Sequence, residues 1–218
     1  MNKHLATAAL VAALCGASAQ ADYLTITVDG DLSDWGATAP LYTDAAENGT
    51  DIDFHQVWIA NDDNYVYVAF NLHVAGDPFT FLNNYFFDGD NDSGTGFNVL
   101  TAGNFGSEML VQSGTGYQES GGGFNEGGIT GLDWLSAGSG STQFEFRVSR
   151  DATYTTGGQP VFTDTSIEVL LQTDSGTGDT AGDSATGIPY NFAVPEPASA
   201  ALMLLGLGSA LWLRRRAT

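Results

Sequence analysis

The chain has 218 residues, with 26 acidic and 6 basic side chains, and a formal net charge of −20. Between Asp22 and Ala193 there are 25 acids against two bases, Arg147 and Arg150, so that segment carries −23. Phosphate recognition needs clustered Lys and Arg, so the charge excludes nucleic acid as a partner and disfavours docking of this segment on anionic lipid.

The N-terminus, MNKHLATAALVAALCGASAQA, places one basic residue, Lys3, before an apolar run over residues 5–14. A run of that length fits the ~7–15 residues of a secretory signal-peptide core. Two small-x-small triplets follow, Ala17-Ser18-Ala19 and Ala19-Gln20-Ala21. Residues 1–21 are read as a signal-peptide helix, with the mature chain starting at Asp22 and Gln20 as the alternative start. Cys15, the only cysteine, leaves with that peptide. Disulfides and thiolate metal sites are thereby excluded from the mature chain.

Residues 22–193 have the size of one ordinary domain. Glycine is abundant, 28 of the 218 residues, about twice its usual share of ~7%. Stretches such as Gly114-Thr115-Gly116, Gly121-Gly122-Gly123, Gly138-Ser139-Gly140 and Ser175-Gly176-Thr177-Gly178 read as turns and loops. Between them lie strand-like runs at residues 23–28, 52–60, 65–72, 79–87, 108–112, 142–150 and 166–172. Asn61-Asp62-Asp63-Asn64 separates the second and third as a hairpin turn. Within residues 142–150, Phe144, Phe146 and Val148 alternate with Glu145 and Arg147, which predicts a strand buried on one face. No helical stripe is sustained. The expected fold is all-β, an antiparallel β-sandwich of jelly-roll or immunoglobulin-like type with long Gly-rich loops; a closed barrel is the alternative.

Three stretches carry a resemblance: Val28-Asp29-Gly30-Asp31-Leu32-Ser33-Asp34-Trp35, the hairpin at residues 57–70, and Asp88-Gly89-Asp90-Asn91-Asp92. Together they resemble the opening, central hairpin and acidic loop of family 9-like carbohydrate-binding modules and DOMON-type sandwiches. The resemblance implies a β-sandwich with polysaccharide as a partner. From the DOMON side it also raises haem held by Met109 with His55 or His73. Residues 114–140 have no counterpart in it.

Alternate carboxylates on a tight Gly-containing loop can converge on a hard cation, which makes Asp88, Asp90 and Asp92 candidate ligands for a structural Ca²⁺. The loop is not an EF-hand: counting from Asp88, Ser93 stands where Gly belongs and Val99 where the bidentate Glu belongs. A remote acid such as Glu108 could supply the missing ligand; the bland alternative is a solvated acidic turn. Asp29, Asp31 and Asp34 form a second and less favoured cluster, readable as turn and cap residues, and Trp35 beside them reads as a packing residue. For glycan stacking the candidates in loop-like surroundings are Trp134 and Tyr117, although large aromatics also anchor long loops. No residues are assigned to catalysis: there is no G-x-S-x-G pattern, and His55 and His73 sit in strand-like runs. With 25 acids, carboxylate pairs arise without meaning, so an extracellular polysaccharide hydrolase remains only as the alternative function.

The C-terminus reads VPEPASAALMLLGLGSALWLRRRAT. Residues 198–213 are mostly apolar and fall short of the ~20 that span a bilayer comfortably. Arg214, Arg215 and Arg216 would stay cytoplasmic. Val194-Pro195-Glu196-Pro197, the apolar helix and the arginine cluster, in that order, resemble the PEP-CTERM sorting signal. The resemblance implies that residues 194–218 are a sorting signal and that exosortase, a membrane protease-transpeptidase, is the processing partner. The membrane would then be met only through a transient transmembrane helix, and the destination would be the cell surface or extracellular polysaccharide matrix of a Gram-negative bacterium. A permanent anchor is the alternative.

Overall fold

The two aromatic and β-branched runs on either side of Asp62-Asp63-Asn64 form the predicted hairpin, β3 (Phe54–Asn61) and β4 (Tyr65–Leu72). Asp62 fixes its turn. Oδ1 accepts the N–H groups of Asn64 and Tyr65, each at 2.8 Å, and Oδ2 accepts the Tyr67 hydroxyl at 2.8 Å. Local bonding of this kind is why Asp suits turns. The structure, a computed structural model, describes residues 22–46, 52–80, 82–99, 105–121, 123–138, 142–173, 178–182 and 186–194. The expected signal helix, Pro195, Glu196 and Pro197, the C-terminal apolar helix, and Arg214, Arg215 and Arg216 lie outside these residues.

The hairpin is the centre of a six-stranded sheet. β12 (Gln143–Ser149) pairs antiparallel with β4, and β11 (Leu135–Ala137) with β12. On the other side β1 (Asp22–Tyr23, parallel) and β2 (Tyr42–Thr43) both pair with β3. In the eight-stranded second sheet, β5 (Asn84–Asp88) lies between β8 (Met109–Gln112) and β14 (Ser166–Gln172). β9 (Thr115–Gln118), β10 (Gly127–Thr130) and β13 (Thr153–Tyr154) continue outward from β8. β15 (Thr180–Ala181) and β16 (Ile188–Asn191) pair with the far edge of β14. β6 (Phe97–Asn98) and β7 (Gly106–Ser107) form a separate short ladder. Among the described residues the one helical element is the 3₁₀ turn η1 (Leu32–Trp35). The fold is the expected all-β one, two main sheets around a shared core, and among the described residues no ladder joins them into a barrel.

Period-2 alternation builds that core. Val66, Val68 and Phe70 of β4, with Phe144, Phe146 and Val148 of β12, share one cluster with Tyr85, Phe87, Met109, Val111, Val169 and Leu171 of the second sheet. All are fully buried, and each contributes roughly 1.5–3 kcal/mol through removal from water.

Four expectations need correction. Residues 24–28 do not form a strand; only Asp22–Tyr23 pairs. The segment instead lies over the outer face of the first sheet, where Ile26 and Trp35 pack with Ala60, Tyr67 and Ala69 in a second apolar cluster. Glu145, expected on a solvent face, is 0% exposed beneath this cover. The strand expected over residues 79–87 begins at Asn84, because Asn83 closes a turn by donating to the carbonyl of Pro78 at 2.7 Å. Residues 114–140, in which no strand-like run was read and which had no counterpart in the family resemblance, supply β9, β10 and β11.

Both ends of the described domain meet at Asn61. Its carbonyl accepts the Leu24 N–H at 2.9 Å. Its Oδ1 accepts the Ala193 N–H and the Tyr190 hydroxyl, each at 2.7 Å, and its Nδ2 donates to the Ala193 carbonyl at 3.0 Å.

Candidate metal centre

The C-terminal end of β5 delivers Asp88 to a corner of the second sheet, and Asp90 follows on the adjoining loop. The neighbouring strand brings Glu108 to the same place: its N–H donates to the Phe87 carbonyl at 2.9 Å as β8 begins. Carboxylate oxygens of Asp88, Asp90 and Glu108 lie within 4.8 Å of one another, so the three can hold a metal ion. Glu108 is anchored by the Gly89 N–H on Oε2 at 3.0 Å and the Thr95 hydroxyl on Oε1 at 3.1 Å. The Thr95 hydroxyl also approaches both oxygens of Asp90, at 3.1 and 3.0 Å. Gly96 makes the approach possible. At its φ of +65° a side chain would be strained, and a Cβ there would come within 2.5 Å of Glu108 Oε1.

The electrostatics of this corner are unfavourable as the protein alone presents them. Asp88 is 1% exposed, and its Oδ1 accepts no hydrogen bond. Burial, then the charges of Asp90 and Glu168, push its carboxyl up to about 6, against the opposing backbone N–H groups of Asn91 and Asp92. Burial, opposed by the Gly89 N–H and reinforced by Asp90 and Asp88, pushes Glu108 up to about 8. Glu168 stands directly opposite Asp88 across the β5–β14 ladder, a like-charge pairing that destabilises a sheet. Both arginines of the domain are engaged elsewhere. Arg147 pairs with Asp133 at 3.4 Å and lies over the Tyr65 ring. Arg150 donates to the Asp62 carbonyl at 2.7 Å and lies over Phe192.

Of the three sequence candidates, Asp88 and Asp90 belong to the converging set and Asp92 does not. Asp92 is exposed, and its Oδ1 accepts the Gly94 N–H at 2.9 Å. Glu108 takes its place. The sequence had offered it as a remote acid that could complete the set, and the pairing of β5 with β8 brings it there.

Asp29, Asp31 and Asp34 are not brought together on one ligand; each caps backbone. Asp29 Oδ1 accepts the Asp31 N–H, Asp31 Oδ1 the Ser33 N–H, and Asp34 Oδ2 the Thr27 N–H, at 2.8, 3.0 and 3.0 Å. Trp134 is half-buried and stacks on Phe146, with ring centroids 4.7 Å apart. Tyr117 is half-buried against the cluster of Phe86, Phe105, Leu110 and Leu170. Among the described residues the aromatic left exposed is instead Phe124, at 47%, edge-on to Phe97. Met109 lies in the inter-sheet core, while the rings of His55 and His73 stack on each other at 4.3 Å in half-buried positions.

A cavity of about 270 Å³ opens beside the acidic corner. Asp90 and Glu108 form part of its wall, with Thr95, Ser120, Tyr154 and Gln159 around them. The loop carrying Asp90 is tied to the facing segment by the Thr163 N–H, which donates to the Gly89 carbonyl at 3.0 Å.

The tail carries a sorting motif. The PEP-CTERM protein-sorting motif matches residues 193–217. The chain carries that motif as its sequence suggested, and the motif marks an exported protein, sorted by exosortase in the envelope of a Gram-negative cell. No curated protein matches the chain. Among solved structures it is similar to a family 9 carbohydrate-binding module from Caldicellulosiruptor kristjanssonii in complex with cellotriose. That match has 12% identity and a TM-score of 0.46, and covers 82% of this chain and 95% of the module. A family 9 module from the same organism in complex with glucose matches at 11% identity and a TM-score of 0.44, covering 82% of this chain and 98% of the module.

Proposed function

We propose that the secreted chain is a non-catalytic β-sandwich of the cell surface or exopolysaccharide matrix, with calcium held by Asp88, Asp90 and Glu108 and with weak affinity for glycan. The observation that carries the calcium reading is the buried Asp88 Oδ1, which lacks a hydrogen-bond donor inside a set of three carboxylates. The backbone N–H groups of Asn91 and Asp92 offset the buried Asp88 charge only in part, an incompletely compensated buried charge is costly, and a hard divalent cation would supply the rest. Glycan contact is assigned to the same corner, where the cavity presents hydroxyl and amide groups.

The test is thermal unfolding with and without calcium. A ligand that binds only the folded state at a concentration near 100 Kd adds about 2.7 kcal/mol. For a domain of this size that raises Tm by roughly 5–10 °C. The rise is expected to vanish in Glu108→Gln and to persist in Asp92→Asn. An equal rise in wild type and Glu108→Gln would sink the assignment.

A second reading has one specific observation behind it. A carboxyl raised to about 8 beside a cavity, as Glu108 is, is the state of a general acid in glycoside hydrolysis. Turnover of the producer's own exopolysaccharide by the wild-type chain, abolished in Glu108→Gln, would establish that reading in place of the non-catalytic one.

The domain plan belongs to the same proposal: residues 1–21 are removed on export, residues 22–193 form the sandwich, and exosortase cuts near Pro195-Glu196-Pro197. The intact mass of the secreted protein is expected to begin at Asp22 and to lack everything after about Pro197. An intact tail on the secreted form would refute the processing.

A further inference from the structure

We infer that the cavity beside Asp90 and Glu108 is a subsite for a single neutral hexose, and that two adjacent hydroxyls of the sugar bind through the calcium ion itself. This rests on the calcium reading above and adds to it the ligand class and the way the ligand is held.

Coordination leads there first. Ca²⁺ takes ~6–8 oxygens. Asp88 approaches the site from its buried back, while Asp90 and Glu108 form part of the cavity wall. Beyond the nearby Thr95 hydroxyl, coordination positions that the three carboxylates leave open can be filled from the cavity that Asp90 and Glu108 border, by water or a ligand oxygen. A vicinal diol offers two oxygens at adjacent positions.

The cavity's size and lining suit a sugar. At about 270 Å³ it is at or below the small end of the usual ~300–1,000 Å³ range for ligand pockets, enough for one hexose ring. One part of the lining is polar, with Ser120, Gln159 and Thr163 able to bond hydroxyls. Another part is apolar, formed by Tyr154 and Val161. A pyranose has the same two characters, hydroxyls at its rim and C–H bonds on its faces.

Charge selects among sugars. A divalent ion leaves the three carboxylates one charge short of neutrality, no Lys or Arg lines the cavity, and the surrounding segment carries −23. A uronate would bring another negative charge into that field. A neutral diol coordinates without it.

The experiment titrates methyl mannoside, methyl galactoside and galacturonate into the secreted protein by ligand-observed NMR, in calcium and in EDTA, with the calcium Tm rise measured on the same samples. At least one neutral glycoside is expected to bind with a Kd on the order of 1 mM. It should weaken at least tenfold in EDTA, and galacturonate should bind more weakly than the neutral glycoside. Gln159→Ala, an exposed position outside the cation set, is expected to weaken sugar binding severalfold and keep the Tm rise. A Tm rise with no sugar binding, or with sugar binding indifferent to EDTA or to Gln159→Ala, overturns the subsite and leaves the calcium reading standing. Preference for galacturonate also overturns it. No Tm rise overturns both.

Discussion

Glu145→Ala is expected to destabilise the domain by about 3–5 kcal/mol, because several donors lose their acceptor at once and each one orphaned out of water costs roughly 1–3 kcal/mol. Oε1 of Glu145 accepts the backbone N–H groups of Asp29 and Gly30 at 2.6 and 2.7 Å, and Oε2 accepts the Trp35 indole N–H at 3.1 Å. One carboxylate, 0% exposed, therefore fastens the Asp29–Trp35 stretch onto the outer face of β12. Trp35 itself is 3% exposed and anchors the apolar cover over Ala60, Tyr67 and Ala69. Glu145→Gln keeps the shape but turns an NH₂ group toward one of the donors, so it should cost less than alanine and more than a surface change. Thermal unfolding measures the effect as a fall of about 6–20 °C for the alanine variant, accompanied by a red shift of tryptophan emission as Trp35 meets water. A loss under about 1 kcal/mol, typical of a surface site, would show that the cover stays in place without its anchor.

The same residue shows how far the sequence could be read. Alternation of Phe144, Phe146 and Val148 with Glu145 and Arg147 locates β12 and its inward face correctly. It assigns Glu145 to solvent, because period-2 logic cannot see that a segment more than a hundred residues earlier covers the opposite face. Strands rich in aromatic and β-branched residues were legible for the same reason that they are central: β3, β4 and β14 bury most of their side chains. β9 and β10 were not, since their glycines carry no strand signal. Gly116 sits in β9 because the Ile129 and Leu132 side chains occupy the space where its Cβ would be, at 2.9 and 3.1 Å, a long-range packing reason with no local signature. At the site, Asp88 and Asp90 were legible as an acidic loop. Glu108, offered by the sequence only as a remote acid, is brought beside them by the pairing of β5 with β8. The aromatics failed as a guide to an exposed stacking surface: Trp134 and Tyr117 look loop-borne in sequence, yet tertiary packing draws both inward and leaves Phe124 outside.

Without calcium the domain is expected to lose stability as pH rises from about 4 to 8, the reverse of ordinary acid unfolding. The sign follows from the carboxyls. In the folded chain Asp88 is pushed up to about 6 from 3.8, Glu108 to about 8 from 4.5 and Glu119 to about 7 from 4.5, burial being the first cause in each. Between the unfolded and folded values the folded state binds more protons than the unfolded one, so raising the pH favours unfolding. A displacement of one pH unit is about 1.4 kcal/mol, so Glu108 alone accounts for a few kcal/mol once the pH passes its folded value. Calcium replaces the protons that Asp88 and Glu108 would otherwise hold, and its stabilisation must therefore grow with pH. Glu119 lies outside the converging set; its Oε1 accepts the Asn125 N–H at 2.7 Å and its Oε2 accepts no hydrogen bond. Its share of the decline should survive calcium and level off near 7. In EDTA, Tm should fall by roughly 10 °C between about pH 5 and 8; millimolar calcium should remove more than half of that fall, and Glu119→Gln most of the remainder. A Tm that holds or rises across this window in EDTA would show that the corner tolerates its charges unaided, and parallel slopes with and without calcium would show that the ion binds elsewhere. With both arginines of the domain committed at a distance, to Asp133 and to the Asp62 carbonyl, neutralisation of this corner has to come from the medium. On the calcium reading, a chain carrying −23 between Asp22 and Ala193 is folded most firmly where divalent cations are abundant, outside the cytoplasm from which its tail marks it for export.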